Sequence, residues 1–361
     1  MGIWETNWCY QHTGFLTSNC IFRQFLSFCK QRIRMSKKVV FLGTGGTIAG
    51  SAASSSDNVS YKAAQLGIQD LLDTSQDLQR SLVGCIAQAE QVFQINSKDL
   101  GFGHWSLLLG RLQFHLVRPD VVGVVVTHGT DTLEETAYFL HRVLPMEQLT
   151  HKPIVLTCAM RPASSSQADG PANLADATAV ATSGKVSGVV VVCAGKVHAG
   201  ALVRKVQPYR VDAFDSGEAA PVAYVEEGRV RLVSQSEPLG LQPIPGAALH
   251  GTLIPRVEIV TSHSGAGGAM VLDMVRAMDT STDPLRGIVV AGTGNGSIHF
   301  EMERALRVAV GRGVWVWRTS RCAGGVVVDA SAGIPEEFPS VGLSPVKARI
   351  EMQLQLMSTA P

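Results

Sequence analysis

The 361-residue chain is 45% hydrophobic and 17% charged, an ordinary globular composition with room for two domains. Its net charge of +1 gives no electrostatic footing for nucleic acid or an anionic membrane surface. No apolar run approaches the roughly 18 residues that a membrane-spanning helix needs.

Residues 1–34 hold three of the seven cysteines (Cys9, Cys20, Cys29) and two of the five tryptophans. The apolar stretch from Phe15 to Phe28 is interrupted by Arg23 and Gln24 and lacks a small-residue cleavage site, so it does not read as a secretory signal. MSKKVVFLGTGG, from Met35, is a more natural opening, and the expectation is that residues 1–34 are an unassigned extension outside the native protein, or a poorly ordered tail. Of the other cysteines, Cys85, Cys158, Cys193 and Cys322 show no metal-ligand spacing. Cys158 and Cys193 end apolar runs, as small buried hydrophobes in a reducing compartment do.

Lys38 to Leu42 reads as a first strand, followed by GTGGTIAG at 43–50. The small polar run SAASSSDNVS (51–60) reads as a mobile loop, and Tyr61 to Leu72 as a helix. A strand at Val92 to Ile95 ends in Asn96, Ser97, Lys98 and Asp99, before a helix over Trp105 to His115. The central stretch is VVGVVVTHGTDTLEET, 121–136. Val121 to Val126 is an apolar run of the kind buried on both faces of a parallel sheet. From Leu133 the pattern turns helical: Thr132 and Glu135 have capping-box spacing, and Ala137, Leu140 and Val143 continue at helical intervals. His128, Gly129, Thr130 and Asp131 therefore sit on a loop at the carboxyl end of a strand, where open α/β sheets bind ligands.

A strand at Ile154 to Cys158, a helix over Ala172 to Thr182 and a strand at Gly188 to Val192 continue the alternation. The fold class expected is α/β, with a doubly wound, mostly parallel sheet in a larger N-terminal domain over 35–236. Short pieces from Val211 onward run into the proline-containing EPLGLQPIP, a linker assigned to 237–250. A smaller flavodoxin-like α/β domain over 251–361 has strands at Val257 to Thr261, Gly287 to Ala291 and Val314 to Arg318. Its helices fall near Ala269 to Met278 and at Phe300 to Val308, and an amphipathic helix spans Pro345 to Met357. There is no internal repeat.

Glycine at the first, third and sixth positions would mark a dinucleotide-binding turn, but here those positions are Gly43, Gly45 and Ile48. A tight strand exit accounts for Gly45 and Gly46, not for the paired Thr44 and Thr47. Threonine becomes a nucleophile when a base takes its proton, and a lysine or Tyr61 could do that in a dry site. A lone threonine is usually a cap; two threonine clusters after two strands of a doubly wound sheet can become neighbours. His128 reads as a general base or, with the better claim, as a structural histidine. Asp131 could simply favour the helix dipole.

GTGGTIAG at 43–50, THGTDTLEETAYFL at 127–140 and AMRPASSSQADGPANL at 159–174 resemble the two signature regions and following loop of the bacterial-type L-asparaginase/glutaminase family. The resemblance runs from about Lys37 to Leu354, with SPVKAR at 344–349 similar to the family's C-terminal helix. It implies an amidohydrolase without metal or organic cofactor that converts L-asparagine to L-aspartate and ammonia through an acyl-enzyme.

By motif, Thr47 matches the nucleophile, Tyr61 its activating partner, and Thr130 and Asp131 the second threonine and its neighbouring acid. Counting on from the strand at Gly188 places the family's lysine at Lys205, with Lys185 the alternative on the wrong side of that strand. Gly46, Ser97, Gly129, Thr130, Asp131 and Ala159 match substrate-binding positions, Ser97 for the α-carboxylate and Asp131 for the α-ammonium. N–H groups near Gly46 and Thr130 would stabilise an oxyanion.

The chain departs from the family pattern at Asn96-Ser97-Lys98, where many members have Gly-Ser-Gln, and at Arg204, where a small threonine is usual. The acidic residue that a neighbouring subunit supplies has Glu336 and Glu337 as its nearest candidates. The partners implied are L-asparagine, or L-glutamine as well, and other copies of the chain in a homotetramer built as a dimer of dimers, located in the cytoplasm. No nucleic acid and no membrane are expected. Competing readings are a glutaminase-asparaginase of broad amide specificity, a non-catalytic amino-acid-binding homologue, and a subunit delivering ammonia to a tRNA-amidating partner, which would need a basic appendage that the sequence lacks.

Overall fold

The computed structural model describes residues 36–75, 77–233, 244, 254–328 and 338–359. Residues 1–34, the 237–250 linker apart from Ile244, and Glu336 and Glu337 lie outside them.

In chain order the first part holds β1 (Lys38–Gly45), α1 (Ile68–Thr74), α2 (Leu78–Ser81), β2 (Ile86–Ile95), α3 (Phe102–Leu116), β3 (Val121–Thr127), α4 (Leu133–Val143), α5 (Met146–Leu149), β4 (Ile154–Thr157), α6 (Gly170–Thr182) and β5 (Val189–Cys193). Shorter strands follow: β6 (Lys196–Ala199), β7 (Arg204–Lys205), β8 (Phe214–Asp215), β9 (Ala223–Glu226) and β10 (Arg229–Leu232). Eight strands form one sheet in the order β10-β9-β6-β5-β4-β3-β1-β2. From β2 to β5 every pairing is parallel, while β6, β9 and β10 extend the far edge antiparallel.

The apolar runs of the sequence are continuous because this sheet is buried on both faces. Val40, Leu42, Val124, Val126, Ile154 and Leu156 enter one core with α3 and α4. Their neighbours Val39, Phe41, Val125 and Val155 enter the opposite core with α1 and α6. Strand order reverses between β1 and β3, so the chain leaves their carboxyl ends in opposite directions and opens a crevice there.

A second, smaller sheet has β11 (Arg256–Thr261), β12 (Leu285–Gly292) and β13 (Trp315–Ser320) in sequence order, all parallel. Helices α7 (Ala269–Ala277) and α8 (Phe300–Gly311) cover one face. The other face belongs to α9 (Pro345–Ser358).

Three sequence expectations change. The helix placed at Tyr61 begins only at Ile68: Lys62 bridges to Ser51, and Ala64 takes a positive φ of 56°, both incompatible with helix. The capping box at Thr132 does not form, because its hydroxyl donates to the Ser97 carbonyl at 2.9 Å instead. The C-terminal helix is not amphipathic in the ordinary sense. Ile350, Leu354 and Met357 pack into the larger sheet's core, while Ala348, Met352 and Leu356 pack on the smaller sheet. Its polar residues are buried too: Lys347, Glu351 and Gln353 are each under a tenth exposed.

A helix buried on both faces must satisfy those polar groups internally. Glu351 accepts from Arg142 on α4 at 2.6 and 2.9 Å and from the Tyr138 hydroxyl at 2.9 Å. Gln353 donates to the Pro255 carbonyl, and Arg349 to that of Val257. Removing one partner of the buried Arg142–Glu351 pair leaves the other charge without its counterpart in that pair, so Glu351→Ala is expected to lose about 3 kcal/mol of stability. Replacing both (Arg142→Met with Glu351→Leu) should lose far less. Denaturant unfolding of the three proteins checks this; equal losses in the single and double variants would contradict it.

Candidate active site

The crevice is built from three loops, and one close approach fixes them. Gly46 has φ 82° and ψ −171°, and a Cβ there would lie 2.3 Å from Cα of Gly129. A Cβ on Gly129 would in turn lie 2.4 Å from Oγ of Ser97. The loops after β1 and β3 therefore touch backbone to backbone, with the Ser97 side chain from the loop after β2 packed against Gly129, and the residues that follow the two glycines, Thr47 and Thr130, are brought to the same region. Hydrogen bonds hold this junction: Gly46 N–H donates to Ile95 O at 2.9 Å, and the Thr44 hydroxyl to Thr127 O at 2.7 Å.

Thr47 opens a single 3-10 turn, Thr47–Ala49, and its hydroxyl lies 2.7 Å from the Tyr61 hydroxyl. Tyr61 reaches it because residues 51–62 fold back, pairing Ser51 with Lys62. That loop, read from sequence as mobile, is hydrogen-bonded here to residues 163–166: Ala163 N–H to Gly50 O, Ala52 N–H to Ser164 Oγ, and Ser166 N–H to Ser55 O.

The second threonine is buried, and Lys205 Nζ donates to its Oγ1 at 2.8 Å and to Asp131 Oδ1 at 2.7 Å. Lys205 comes from the two-residue β7, paired with β8. Lys185, the alternative, donates instead to Val230 O, at 2.9 Å. With the lysine ammonium donating to it, the Thr130 hydroxyl directs its own hydrogen to Asp131 Oδ1, a long contact of 3.5 Å. Asp131 remains half exposed, its second oxygen available to a cation.

Ser97 is 3% exposed, and its Oγ has no hydrogen-bond partner. An orphaned hydroxyl beside Gly129 and the two threonines is what a polar ligand would satisfy. Lys98, the departure from the family pattern, is turned to Asp99 at 2.8 Å and largely exposed. Arg204, the other departure, donates to Ala323 O at 2.7 Å. Ala159 is fully buried beyond β4, where a Cβ on Gly170 would touch both its Cβ and Ile48. Asp169 braces the chain after it, accepting from the N–H groups of Met160 and Arg161 at 3.0 Å.

His128 is fully buried between the Gly129 carbonyl, 2.8 Å from Nδ1, and the Thr136 hydroxyl, 3.0 Å from Nε2. Trp105 Nε1–H also donates to that hydroxyl, at 2.8 Å. Both ring nitrogens are engaged in the scaffold, which settles the sequence alternatives for the structural reading. Cys158 and Cys193 are buried, as expected of small hydrophobes.

Sequence reasoning missed two supporting residues. Glu134 Oε1 accepts the Lys205 backbone N–H at 3.3 Å, and burial pushes its carboxyl upward. Lys347 donates to the carbonyls of Ala201 and Val203 at 2.9 and 2.6 Å, pinning the turn that leads into β7. Glu134 was legible only as a first-turn acid. For Lys347 the one signal was its lying within SPVKAR. Among the described residues, no group of three or more His, Cys, Asp or Glu could hold a metal ion, and no helix is long and apolar enough to cross a membrane.

The family model for the N-terminal domain of asparaginase matches residues 38–238, and that for the glutaminase/asparaginase C-terminal domain matches 256–361. The chain is 34% identical to a glutaminase-asparaginase of Pseudomonas fluorescens biotype A over 335 residues, covering 89% of this chain and 86% of that protein. It is 31% identical to L-asparaginase 2 of Bacillus subtilis (strain 168), with 88% and 82% covered. The fold superposes on the crystal structure of a probable cytoplasmic L-asparaginase from Campylobacter jejuni with a TM-score of 0.80 at 31% identity, covering 90% of this chain and 96% of that one.

Burial pushes His128 down to about 4 from 6.5, and the same cause brings His141 and His198 to about 4. Each binds a proton more weakly folded than unfolded. Their contribution to stability is therefore complete above pH 6.5 and is lost as pH falls toward 4, by about 3 kcal/mol for the fully buried His128. Thermal midpoints measured from pH 7 to 4 are expected to fall. A His128→Gln protein should start lower and fall less; an identical decline in both would remove His128 from the explanation.

Proposed function

Because the chain belongs to the asparaginase/glutaminase family, we propose that it hydrolyses the side-chain amide of L-asparagine to L-aspartate and ammonia. The observation that carries this reading is the pairing of two threonine hydroxyls with separate proton partners, Tyr61 and Lys205, on loops that meet at Gly46 and Gly129.

Thr47 Oγ1 attacks the amide carbon, its proton passing by way of the Tyr61 hydroxyl to the amide nitrogen, and the tetrahedral intermediate expels ammonia to leave an acyl-enzyme. N–H groups beside Gly46 and Thr130 face the developing oxyanion, where fixed dipoles act without reorganising. Thr130, held by Lys205 and Asp131, positions the water that releases aspartate. The orphaned Ser97 hydroxyl receives the α-carboxylate and the free side of Asp131 the α-ammonium; Gly129 and Ala159 shape the walls. Neither metal nor organic cofactor is called on.

The reading extends to a homotetramer, as a dimer of dimers with sites at subunit contacts, to the domain limits 35–236 and 251–361 with a 237–250 linker, and to the cytoplasm. The first rests on the family resemblance; the last on the likeness to the Campylobacter jejuni protein. The similarity to a named glutaminase-asparaginase supports a second reading, in which L-glutamine is also a substrate.

Ammonia release from each amide tests both. Thr47→Ala and Thr130→Val are each expected to lower kcat by about 10²–10⁴, the usual worth of such a proton-transfer pair. Lys205→Met should act like Thr130→Val, and Ser97→Ala should mainly raise KM. Near-wild-type asparagine hydrolysis in both threonine variants would refute the mechanism. Comparable rates on the two amides would favour the broader enzyme.

A further inference from the structure

A cavity of about 230 Å³ lies apart from the amide site, between the turns at 201–204 and 216–219, the stretch 323–326 and the start of α9. None of Thr47, Tyr61, Ser97, Thr130, Asp131 or Lys205 lines it. Arg204 does, and this follows from β7 itself: successive side chains of a strand point to opposite sides, so Lys205 serves the amide site while Arg204 faces away from it.

Three groups on its wall favour negative charge. The first is the N-terminus of α9, a helix of 14 residues whose N-cap, Ser344, makes no capping hydrogen bond. Ser344 lines the cavity, is only 8% exposed, and its Oγ is bonded to nothing. Pro345, the first helical residue, carries no N–H, so the helix end brings to the cavity the buried Ser344 hydroxyl and the backbone of Lys347, a pair that asks for an acceptor with several oxygens.

The second is Lys347, 2% exposed, whose ammonium spends two of its three hydrogens on the Ala201 and Val203 carbonyls. Burial pushes it down to about 7, and an anion alongside would favour its charged form. The third is Arg204, whose Nη1 is taken by Ala323 O. Two carboxylates oppose them: Glu218, exposed at the rim, and Glu134, which does not line the cavity but whose charge acts on both Lys347 and Arg204. Gly324 and Gly325 line the cavity at an exposed stretch, where a Cβ on Gly324 would meet nothing within 4 Å.

We propose that this cavity is a binding site for one compact oxyanion, a phosphate or a small carboxylate, held by the α9 N-terminus with Ser344 and by the side chains of Arg204 and Lys347. The free inorganic anion and the carboxylate share this chemistry, and the experiment separates them.

The test is calorimetric titration of the full chain with inorganic phosphate and, separately, malonate, each against chloride at matched ionic strength. One saturable event per chain is expected, with the tighter of the two probes naming the ligand class. Arg204→Met should weaken it by at least about tenfold, the worth of one charge-assisted contact. Gly324→Leu removes no charge but adds bulk at the cavity's exposed stretch, and should also weaken it. Thermal melting confirms that each variant is folded. Absence of saturable binding to the wild-type chain would overturn the proposal, as would binding that survives both variants. Binding lost in Ser97→Ala yet kept in Arg204→Met would place the anion in the amide site and overturn it equally.

Discussion

Two polypeptide backbones pass each other at Gly46 and Gly129 at a separation that admits no β-carbon on either. That contact decides what the rest of the crevice can be. Thr47 and Thr130 come one residue beyond it, on loops that follow the neighbouring strands β1 and β3. Ser97 is pressed against the same spot from a third loop. The positive φ of Gly46 and the absence of a side chain at Gly129 thus let the two backbones meet, which brings the loops carrying Thr47 and Thr130 together through the main chain rather than through flexible side chains.

Lys205 is positioned differently. Its strand has only two residues, too short to be stable alone, and its placement comes from outside. Glu134 takes its N–H, Lys347 on α9 takes the two carbonyls just upstream, and Arg204 reaches across to Ala323. The lysine bonded to Thr130 is therefore located in part by the C-terminal part of the chain, whereas Tyr61, bonded to Thr47, is located by the loop that follows β1. The two halves of the site depend on different parts of the fold.

Much of this was legible in the sequence, and the reasons differ by residue. The parallel sheet announced itself because strands buried on both faces must be apolar throughout. The glycine–threonine clusters marked strand exits with more hydroxyls than a turn needs. Lys205 could be found by counting from a strand, since topology limits which loop can return to the crevice. Other features could not be read. Thr132 has capping-box spacing, yet its hydroxyl is drawn away by the Ser97 carbonyl, a competitor 35 residues distant in sequence. Tyr61 lies in a pattern that resembles helix, and only the pairing of Ser51 with Lys62 keeps it extended. In α9, the alternation of polar and apolar residues implies a wet face. Nothing local reveals that the second face meets another sheet, or that Glu351 has Arg142 waiting, because both facts are tertiary.

The place of α9 between the two sheets also bears on the order in which the molecule can be made. Ile350, Leu354 and Met357 belong to the same core as Val40, Leu42 and Val124, but they are synthesised after every other described element. A ribosome that has delivered the whole larger sheet has still not delivered the residues that close one of its faces. Until then Arg142 lacks the Glu351 carboxylate, and an apolar surface that the finished protein covers is open to water and to other chains. The larger domain therefore completes its core only as a late step, with the C-terminal helix acting as the key that closes both sheets at once.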